Sequence, residues 1–178
     1  LDVPASKLDI GKLASEWLAE KEQFASKLEF LNGKLGSLKR SGDSEIEPRD
    51  VVLYGFGRIG RLAARELIKQ AGKGQQLRLR AIVTRGSSDA DIIKRASLLR
   101  NDSVHGAFKG TVIEDLENKA LIINGQIVKM IDASNPEDID YTKYGINNAL
   151  IVDNTGVFTN REALSRHLKA KGASKVLL

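Results

Sequence analysis

The feature that most constrains this chain is a short loop with three glycines, Gly55-Phe56-Gly57-Arg58-Ile59-Gly60. An apolar run at 51–54 precedes it and a segment of helical periodicity follows, so the pattern GxGxxG stands between a strand and a helix. In that setting Gly55 permits a tight turn, Gly57 lets the backbone approach a diphosphate, and Gly60 lets the helix pack on the strand. The helix N–H groups and dipole would face the diphosphate. The alternative is a strand–helix turn with incidental glycines.

Strands and helices alternate along the rest of this region. The apolar patterns predict strands at 51–54, 77–83, 111–114, 120–123, 127–130, 149–153 and from 176, and helices at 61–70, 89–98 and 161–170. Asn124-Gly125 predicts a hairpin turn. The first helix is expected to turn Leu62, Ala63, Leu67 and Ile68 inward. The chain is therefore expected to be α/β, a Rossmann-type, doubly wound and mostly parallel sheet preceded by a helical extension.

The N-terminal part of the sequence has a different pattern. We expect a helical extension at 1–40, a linker at 41–49 and the nucleotide-binding domain at 50–178. A break in the helix is expected near Asn32 and Gly33. Apolar residues form one seam along this helix: Ile10, Ala14, Trp17, Phe24, Leu28, Leu31, Leu35 and Leu38. The seam either packs on this protein's own body or binds a partner helix.

Composition narrows the function classes. The chain is 42% hydrophobic and 29% charged, without a run of about 20 apolar residues or a secretory signal, so we expect a cytoplasmic protein and no membrane partner. It begins without Met, and we expect processing or further residues before Leu1. No cysteine is present, which excludes disulfides and thiol catalysis within this sequence. The net charge of +5 fits phosphorylated ligands, whereas the scattered basic residues do not favour nucleic acid.

The end of the second predicted strand bears on cofactor choice. A dinucleotide fold usually carries an acidic residue here for the adenosine ribose. This chain instead has Thr84-Arg85-Gly86-Ser87-Ser88. A guanidinium binds a ribose 2′-phosphate that a carboxylate would repel. We expect the cofactor to be NADP, or either NADP or NAD, with Thr84, Arg85, Ser87 and Ser88 around the ribose. The alternative is a solvated loop arginine.

Five ordered segments carry more specific motifs. They are YGFGRIGR at 54–61, NDSVHGAFKGTV at 101–112, LIING at 121–125, DNTGVFT at 153–159 and KGASKV at 171–176. These resemble NGFGRIGR, DSxHGxFKGTV, the LxINGK-type hairpin, ESTGVFT and GGAKKV of the glyceraldehyde-3-phosphate dehydrogenase family. The resemblance does not cover residues 1–49.

The resemblance implies a cofactor site and an activity. By analogy with the family, the backbone of Arg58 and Ile59 meets the pyrophosphate and Thr155-Gly156 lies beside the dinucleotide. The family's acidic ribose ligand falls at Arg85, and a family arginine is replaced by Ser134. The implied protein is a homo-oligomer, tetrameric in the family, that oxidises a sugar phosphate in glycolysis or gluconeogenesis.

The chemistry of the family lies outside this sequence. It needs a cysteine thiolate, which a catalytic domain beyond residue 178 would supply. We expect no aldehyde oxidation by these residues alone, no catalytic residue among them and no metal site. His105 and His167 are expected to be structural, and Asp102, Asp132 and Asp153 to be cap or surface carboxylates. The alternative function is a non-catalytic nucleotide-binding regulatory or interaction module.

Overall fold

A seven-stranded sheet dominates the computed structural model, which describes residues 8–38, 47–72 and 75–178. The strands in chain order are β1 (Arg49–Tyr54), β2 (Leu77–Thr84), β3 (Asn101–Asp102), β4 (Gly106–Ala107), β5 (Val112–Asp115), β6 (Ala120–Ile123), β7 (Gln126–Asp132), β8 (Ala149–Asp153) and β9 (Ala173–Leu177). The main sheet has the order β5-β6-β7-β2-β1-β8-β9, and β3 pairs with β4 separately. Five strands from β7 to β9 are mutually parallel, and β5 and β6 add an antiparallel edge.

Five α-helices are present in the described ranges. They are α1 (Ile10–Glu20), α2 (Lys27–Leu35), α3 (Arg58–Lys69), α4 (Asp89–Arg100) and α5 (Arg161–Ser165). Short 3₁₀ segments lie at Lys21–Gln23, Gly36–Leu38, Pro136–Asp138, Tyr141–Tyr144 and Arg166–Lys169. Within the described ranges, no helix combines the length and the apolar character that a membrane span needs.

Both faces of the sheet are buried, which confirms the doubly wound α/β prediction. Successive residues of β1 point to opposite faces: Val51 and Leu53 belong to one apolar cluster, and Val52 and Tyr54 to the other. Helices α3 and α4 cover the first face. The second face is covered largely by loop and 3₁₀ residues such as Tyr141, which is fully buried. The hairpin prediction at Asn124-Gly125 is also confirmed, because both residues have the positive φ of a type I′ turn.

The last predicted helix is corrected by the structure. Instead of running over 161–170, it is α-helical only to Ser165 and continues as a 3₁₀ segment over Arg166–Lys169. His167 in that segment is fully buried, and its Nε2 lies 2.9 Å from Asp153 Oδ2. The change to 3₁₀ geometry thus occurs where His167 makes a tertiary contact, which the periodicity of the sequence does not predict.

The inner face of α3 is also only partly as predicted. Ile68 is buried, but the other buried residues of the helix are Gly60, Ala64 and Arg65, and Leu62, Ala63 and Leu67 are half-buried. Periodicity missed Arg65 because a charged side chain is normally assigned to the solvent side.

Arg65 is buried because its guanidinium is satisfied by backbone carbonyls. Its Nη2 donates to Leu99 O at 2.7 Å and to Gly106 O at 3.0 Å, and Nη1 donates to Gly106 O at 3.1 Å. The guanidinium also lies over the Phe108 ring, 5.8 Å from its centroid. Arg65 therefore ties α3 to the end of α4 and to β4.

The N-terminal helices form a compact unit of their own, and the predicted break within them is misplaced. The chain is interrupted at Phe24–Ser26 and not at Asn32 and Gly33, which lie inside α2. Ser26 Oγ accepts a hydrogen bond from Glu29 N at 3.1 Å, and Glu29 Oε2 accepts one from Ala25 N at 2.8 Å. A serine followed three residues later by a glutamate starts a helix by satisfying its free N–H groups, and this signal overrides the apolar period.

The predicted apolar seam is correct only in part, since Leu35 of the seam is buried. Phe30, which is absent from it, is buried, and its ring contacts those of Trp17 and Phe24 edge-on at centroid distances of 5.4 and 5.3 Å. Ile10 and Leu28 of the seam are instead 77% and 59% exposed. The extended residue Phe24 separates the two helices, so one period cannot run through both.

Removing the Arg65 guanidinium tests its role in the fold. We expect Arg65→Met to lower the free energy of unfolding by about 2–4 kcal/mol, because the buried carbonyls of Leu99 and Gly106 lose a charged donor. The control Lys69→Met removes an exposed ion pair with Glu66 on the same helix and should cost less than about 0.5 kcal/mol. Urea unfolding followed by circular dichroism measures both. Equal effects of the two variants would contradict the assigned role.

Candidate functional site

A cleft of about 430 Å³ opens at the carboxyl ends of the central strands. The strand β1 pairs with β2 on one side and with β8 on the other, so the winding of the sheet reverses there. Ligands of open α/β sheets bind at such a switch point, and the volume lies within the usual range for small-molecule sites. The lining residues are Tyr54, Gly55, Phe56, Gly57, Val83, Thr84, Arg85, Arg95, Ala133, Ser134, Thr155, Val157, Phe158 and Arg166.

The glycines of the loop differ in what surrounds them. Gly55 has φ +95°, and a Cβ there would lie 2.9 Å from Thr155 Cγ2. A Cβ on Gly60 would lie 2.5 Å from the carbonyl oxygen of Gly55, so the helix could not approach the strand as it does. A Cβ on Gly57 would meet no described atom within 4 Å. The first and third glycines are required by packing, and the second leaves open space on the ligand side.

The start of α3 is suited to an anion. The helix begins at Arg58, earlier than the predicted 61, and its N-cap Gly57 offers no side-chain acceptor. The first N–H groups of a helix have no partner within the helix, and its dipole places partial positive charge there. A diphosphate fits this position by charge and by the space beside Gly57. Arg58, Ile59 and Gly60 begin the helix without lining the cleft itself.

A second loop, at 153–157, lies against the first beside the cleft. Thr155 N and Thr155 Oγ1 both donate to Asp153 Oδ1, at 2.8 and 2.7 Å, and Val157 N donates to Thr155 Oγ1 at 3.1 Å. These bonds fix the turn that brings Thr155 against Gly55. Thr155 lines the cleft, whereas the adjacent Gly156, with φ +71°, does not.

A buried pair lies beneath that loop. His167 is fully buried and shares a hydrogen bond of 2.9 Å with Asp153, and its ring packs edge-on against Tyr54 at 4.6 Å. Burial by itself would raise the pKa of Asp153, but hydrogen bonds from His167 and Thr155 outweigh that effect and hold the pKa below its ordinary value. Asp153 therefore holds the Thr155 loop, and it is a buried cap and not a surface group.

The residues predicted around the ribose do not all reach the cleft. Thr84 and Arg85 line it, and Ser87 and Ser88 do not. Ser88 caps α4: its Oγ accepts from Asp91 N at 3.2 Å and donates to Asp91 Oδ2 at 2.6 Å. The hydroxyl proton of Ser88 is thus used within the cap and does not remain for a phosphate. Similarly, Thr84 Oγ1 donates to the carbonyl of Gly86 at 3.0 Å.

Several lining residues were missed by the sequence reading. Phe158 offers a ring, and Arg166 stacks over it at 5.4 Å while forming a bidentate ion pair with Glu137. Arg95 of α4 also lines the cleft. The only signal for Phe158 was its place in the 153–159 motif; Arg95 and Arg166 lie on predicted helices, where nothing in the pattern marks their direction.

The other titratable residues named from the sequence form structural contacts. Asp102 accepts hydrogen bonds from the backbone of Val104 and His105 and from the His105 ring, each at 3.0 Å, and pairs with Arg61. These donors, led by the backbone of His105, hold the pKa of Asp102 far below its usual range. Asp132 accepts from Gly86 N at 2.8 Å.

None of these residues forms a candidate metal centre. In the described part of the chain, no group of three or more His, Cys, Asp or Glu side chains is arranged to hold a metal ion.

Comparison with known proteins decides the family. The sequence model described as "Glyceraldehyde 3-phosphate dehydrogenase, NAD binding domain" matches residues 49–161. This chain belongs to that family. Its fold and its glycine-rich cleft are those of a domain that binds a nicotinamide dinucleotide.

Individual relatives agree with this assignment. A glyceraldehyde-3-phosphate dehydrogenase-like protein of Pseudomonas aeruginosa (strain UCBPP-PA14) is 48% identical over 180 residues, which cover 100% of this chain and 39% of the relative. Glyceraldehyde-3-phosphate dehydrogenases of Zymomonas mobilis and Lactococcus lactis are 38% and 35% identical over 128 residues, 72% of this chain and 35% and 34% of their own lengths. This chain spans about two fifths or less of these relatives. The Pseudomonas protein also matches the N-terminal helices, outside the region that the family model covers.

The contrast between Gly57 and Gly60 gives a test of the loop. We expect Gly57→Ala to keep the unfolding free energy within about 1 kcal/mol, since its Cβ meets open space, but to weaken dinucleotide binding at least about tenfold. Gly60→Ala should instead destabilise the fold by about 1–3 kcal/mol, because its Cβ overlaps the Gly55 carbonyl. Thermal unfolding and titration calorimetry separate the two effects. Unchanged affinity in Gly57→Ala would remove the diphosphate from this loop.

The depressed pKa of Asp102, which pairs with Arg61 of α3, predicts that the stability of the fold depends on pH. Because the folded-state pKa of Asp102 is depressed, its contribution to stability is fully present above an unfolded pKa of about 4 and is lost as the pH falls toward the folded value. The destabilisation caused by Asp102→Asn should therefore be constant between about pH 7 and 5 and shrink below about pH 4. Glu117→Gln, at an exposed site, is the control. Urea unfolding at several pH values measures the loss of stability in each variant. A loss in Asp102→Asn that grows with acidification would refute the prediction.

Proposed function

We propose that this chain is the cofactor-binding portion of a phosphorylating, NAD(P)-dependent aldehyde dehydrogenase. Residues 50–178 form the binding domain, 1–40 a helical extension and 41–49 a linker. The observation that carries the proposal is the start of α3, where an N-cap without a side chain adjoins the open space at Gly57. Membership of the glyceraldehyde 3-phosphate dehydrogenase family supports it.

The roles proposed for this chain are binding and orientation. The dinucleotide, when bound, supplies the hydride acceptor. The backbone of the 55–60 loop, Gly55, Phe56, Gly57, Arg58, Ile59 and Gly60, holds the diphosphate. Thr155 and Gly156 lie beside the dinucleotide, and Asp153 keeps their loop in place. The ring of Phe158 gives the cleft an apolar wall.

The reaction itself is assigned to groups outside this sequence, which contains no cysteine. In the proposed whole enzyme, a thiolate elsewhere attacks the aldehyde of a sugar phosphate, and inorganic phosphate releases the acyl group. The names of the Zymomonas and Lactococcus relatives support glyceraldehyde 3-phosphate as the substrate and a role in glycolysis or gluconeogenesis. By family likeness, we also propose a homo-oligomer.

The ribose end of the cleft favours NADP over NAD, or acceptance of both. Arg85 lines the cleft at the end of β2 and is exposed, without an ion-pair or hydrogen-bond partner among the described residues. An aspartate or glutamate at this point would repel a 2′-phosphate, whereas a free guanidinium attracts one. Ser87 and Ser88 follow in the same loop, with Ser88 acting by capping α4.

Exchanging the charge at Arg85 tests the cofactor preference. We expect the wild-type chain to bind NADP at least about tenfold more tightly than NAD, and Arg85→Asp to abolish or reverse that ratio, since one charged hydrogen bond has about that effect. Arg161→Asp makes the same charge change at an exposed residue outside the cleft and should leave the ratio unchanged. Titration calorimetry measures binding, and kinetics of the whole enzyme give the parallel ratio. A strong NAD preference that survives in Arg85→Asp contradicts the proposal.

A further inference from the structure

Arg95 is a second free guanidinium in the cofactor cleft. It lines the cleft with Arg85, and its side chain is half-buried. Its Nε is shielded from solvent without a hydrogen-bond partner, and the described residues provide no ion pair for it. A cation held in a partly buried place without a counter-charge is costly unless a ligand supplies the missing anion.

Other arginines of the domain show how unusual this is. Arg65, Arg78, Arg100 and Arg166 are each held by carbonyls or carboxylates. In the described ranges, the arginines without any such partner are Arg85, Arg95 and Arg161, and the first two line the same cleft. Two of these three unpaired guanidiniums therefore line one cleft.

Among the described residues, Arg95 has no ion-pair partner. Asp91 lies one turn earlier on the same face of α4 and its negative charge interacts with Arg95, but its Oδ2 accepts its hydrogen bonds from Ser88 in the cap. Among the described residues that line the cleft, none carries a carboxylate. The third lining arginine, Arg166, is paired with Glu137 and adds no free charge.

The direction of α4 brings Arg95 toward the loop that contains Arg85, at the proposed ribose end of the cleft. Long side chains of a helix lean back toward its N-terminus. The N-terminus of α4 follows directly on the loop that contains Arg85, and Ser88 of that loop is its N-cap. The two guanidiniums therefore reach the cleft from the end of β2 and from the helix that follows it.

We propose that Arg95 is a specificity-determining residue that, together with Arg85, binds a phosphomonoester on the adenosine ribose of the cofactor. This inference rests on the proposed NADP preference and adds a second ligand to it. Two guanidiniums can share the non-bridging oxygens of one phosphate, which a single loop arginine cannot satisfy alone. Sequence reasoning could not find Arg95, because a residue in mid-helix carries no sign of which cleft it faces.

The test uses two nucleotides that differ by one phosphate. Titration calorimetry on the 178-residue chain compares adenosine 2′,5′-bisphosphate with adenosine 5′-monophosphate. We expect Arg95→Met to weaken bisphosphate binding about tenfold, as the loss of one charged hydrogen bond implies, and to leave monophosphate binding within about twofold. Arg95→Lys, which keeps the charge and loses the fork, should give an intermediate loss. Lys94→Met removes a positive charge from the exposed side of the same helix and should change neither affinity.

The outcomes separate this inference from the proposed function. If the wild type binds both nucleotides equally, the NADP preference fails and the inference fails with it. If the wild type prefers the bisphosphate, and Arg85→Met removes that preference while Arg95→Met leaves it unchanged, NADP binding stands and the role of Arg95 is overturned. Inorganic phosphate is the third ligand, and an equal loss of its affinity in Arg95→Met would identify a general anion site and overturn the assignment to the ribose. Melting temperatures of Arg95→Met and Arg95→Lys close to the wild-type value would attribute the changes to binding.

Discussion

The close approach of α3 to the end of β1 is the contact on which the cofactor cleft depends. Gly60 lies so near the Gly55 carbonyl that even a methyl group would overlap it, and Gly55 itself is pressed against Thr155. Because neither glycine has a side chain, these close contacts are possible and the helix can start immediately beyond the strand. The first turn of the helix, with its free N–H groups, then adjoins Gly57 at the edge of the cleft. The space at Gly57 follows from the same geometry.

The most deeply buried charged side chains of this domain are satisfied by neighbouring groups. Arg65 and Asp102 are buried, and each is surrounded by backbone groups of opposite polarity, so the cost of removing them from water is offset. Asp153 is held in the same way beneath the Thr155 loop. By contrast, the guanidiniums of Arg85 and Arg95 line the cleft without an ion-pair partner among the described residues, and we propose that a ligand anion pairs with them.

Much of the architecture could be predicted from local patterns. Strands at 120–123 and 149–153 have the predicted bounds, because a buried strand is a short apolar run with sharp ends. The glycine loop could be recognised because Gly55 and Gly60 stand where packing leaves no room for a side chain, at the fixed spacing between a strand and a helix. The N-terminal helices were predicted less well: a capping signal at Ser26 and Glu29 interrupted a period that looked continuous, and Phe30 became the buried residue in place of Leu28.

By itself, the sequence determined the fold class, the glycine-rich loop between strand and helix and the basic residue at the end of β2, since these depend on neighbours along the chain. Only the tertiary structure decided which charged side chains are buried, where α5 changes to 3₁₀ geometry and which residues share the cleft. Arg65, His167 and Arg95 all lie on helical segments, where periodicity assigns a face but cannot name the partner. Their roles come from residues that are distant in the chain, such as Gly106 for Arg65 and Asp153 for His167, and a hydrogen bond between distant residues leaves no local pattern.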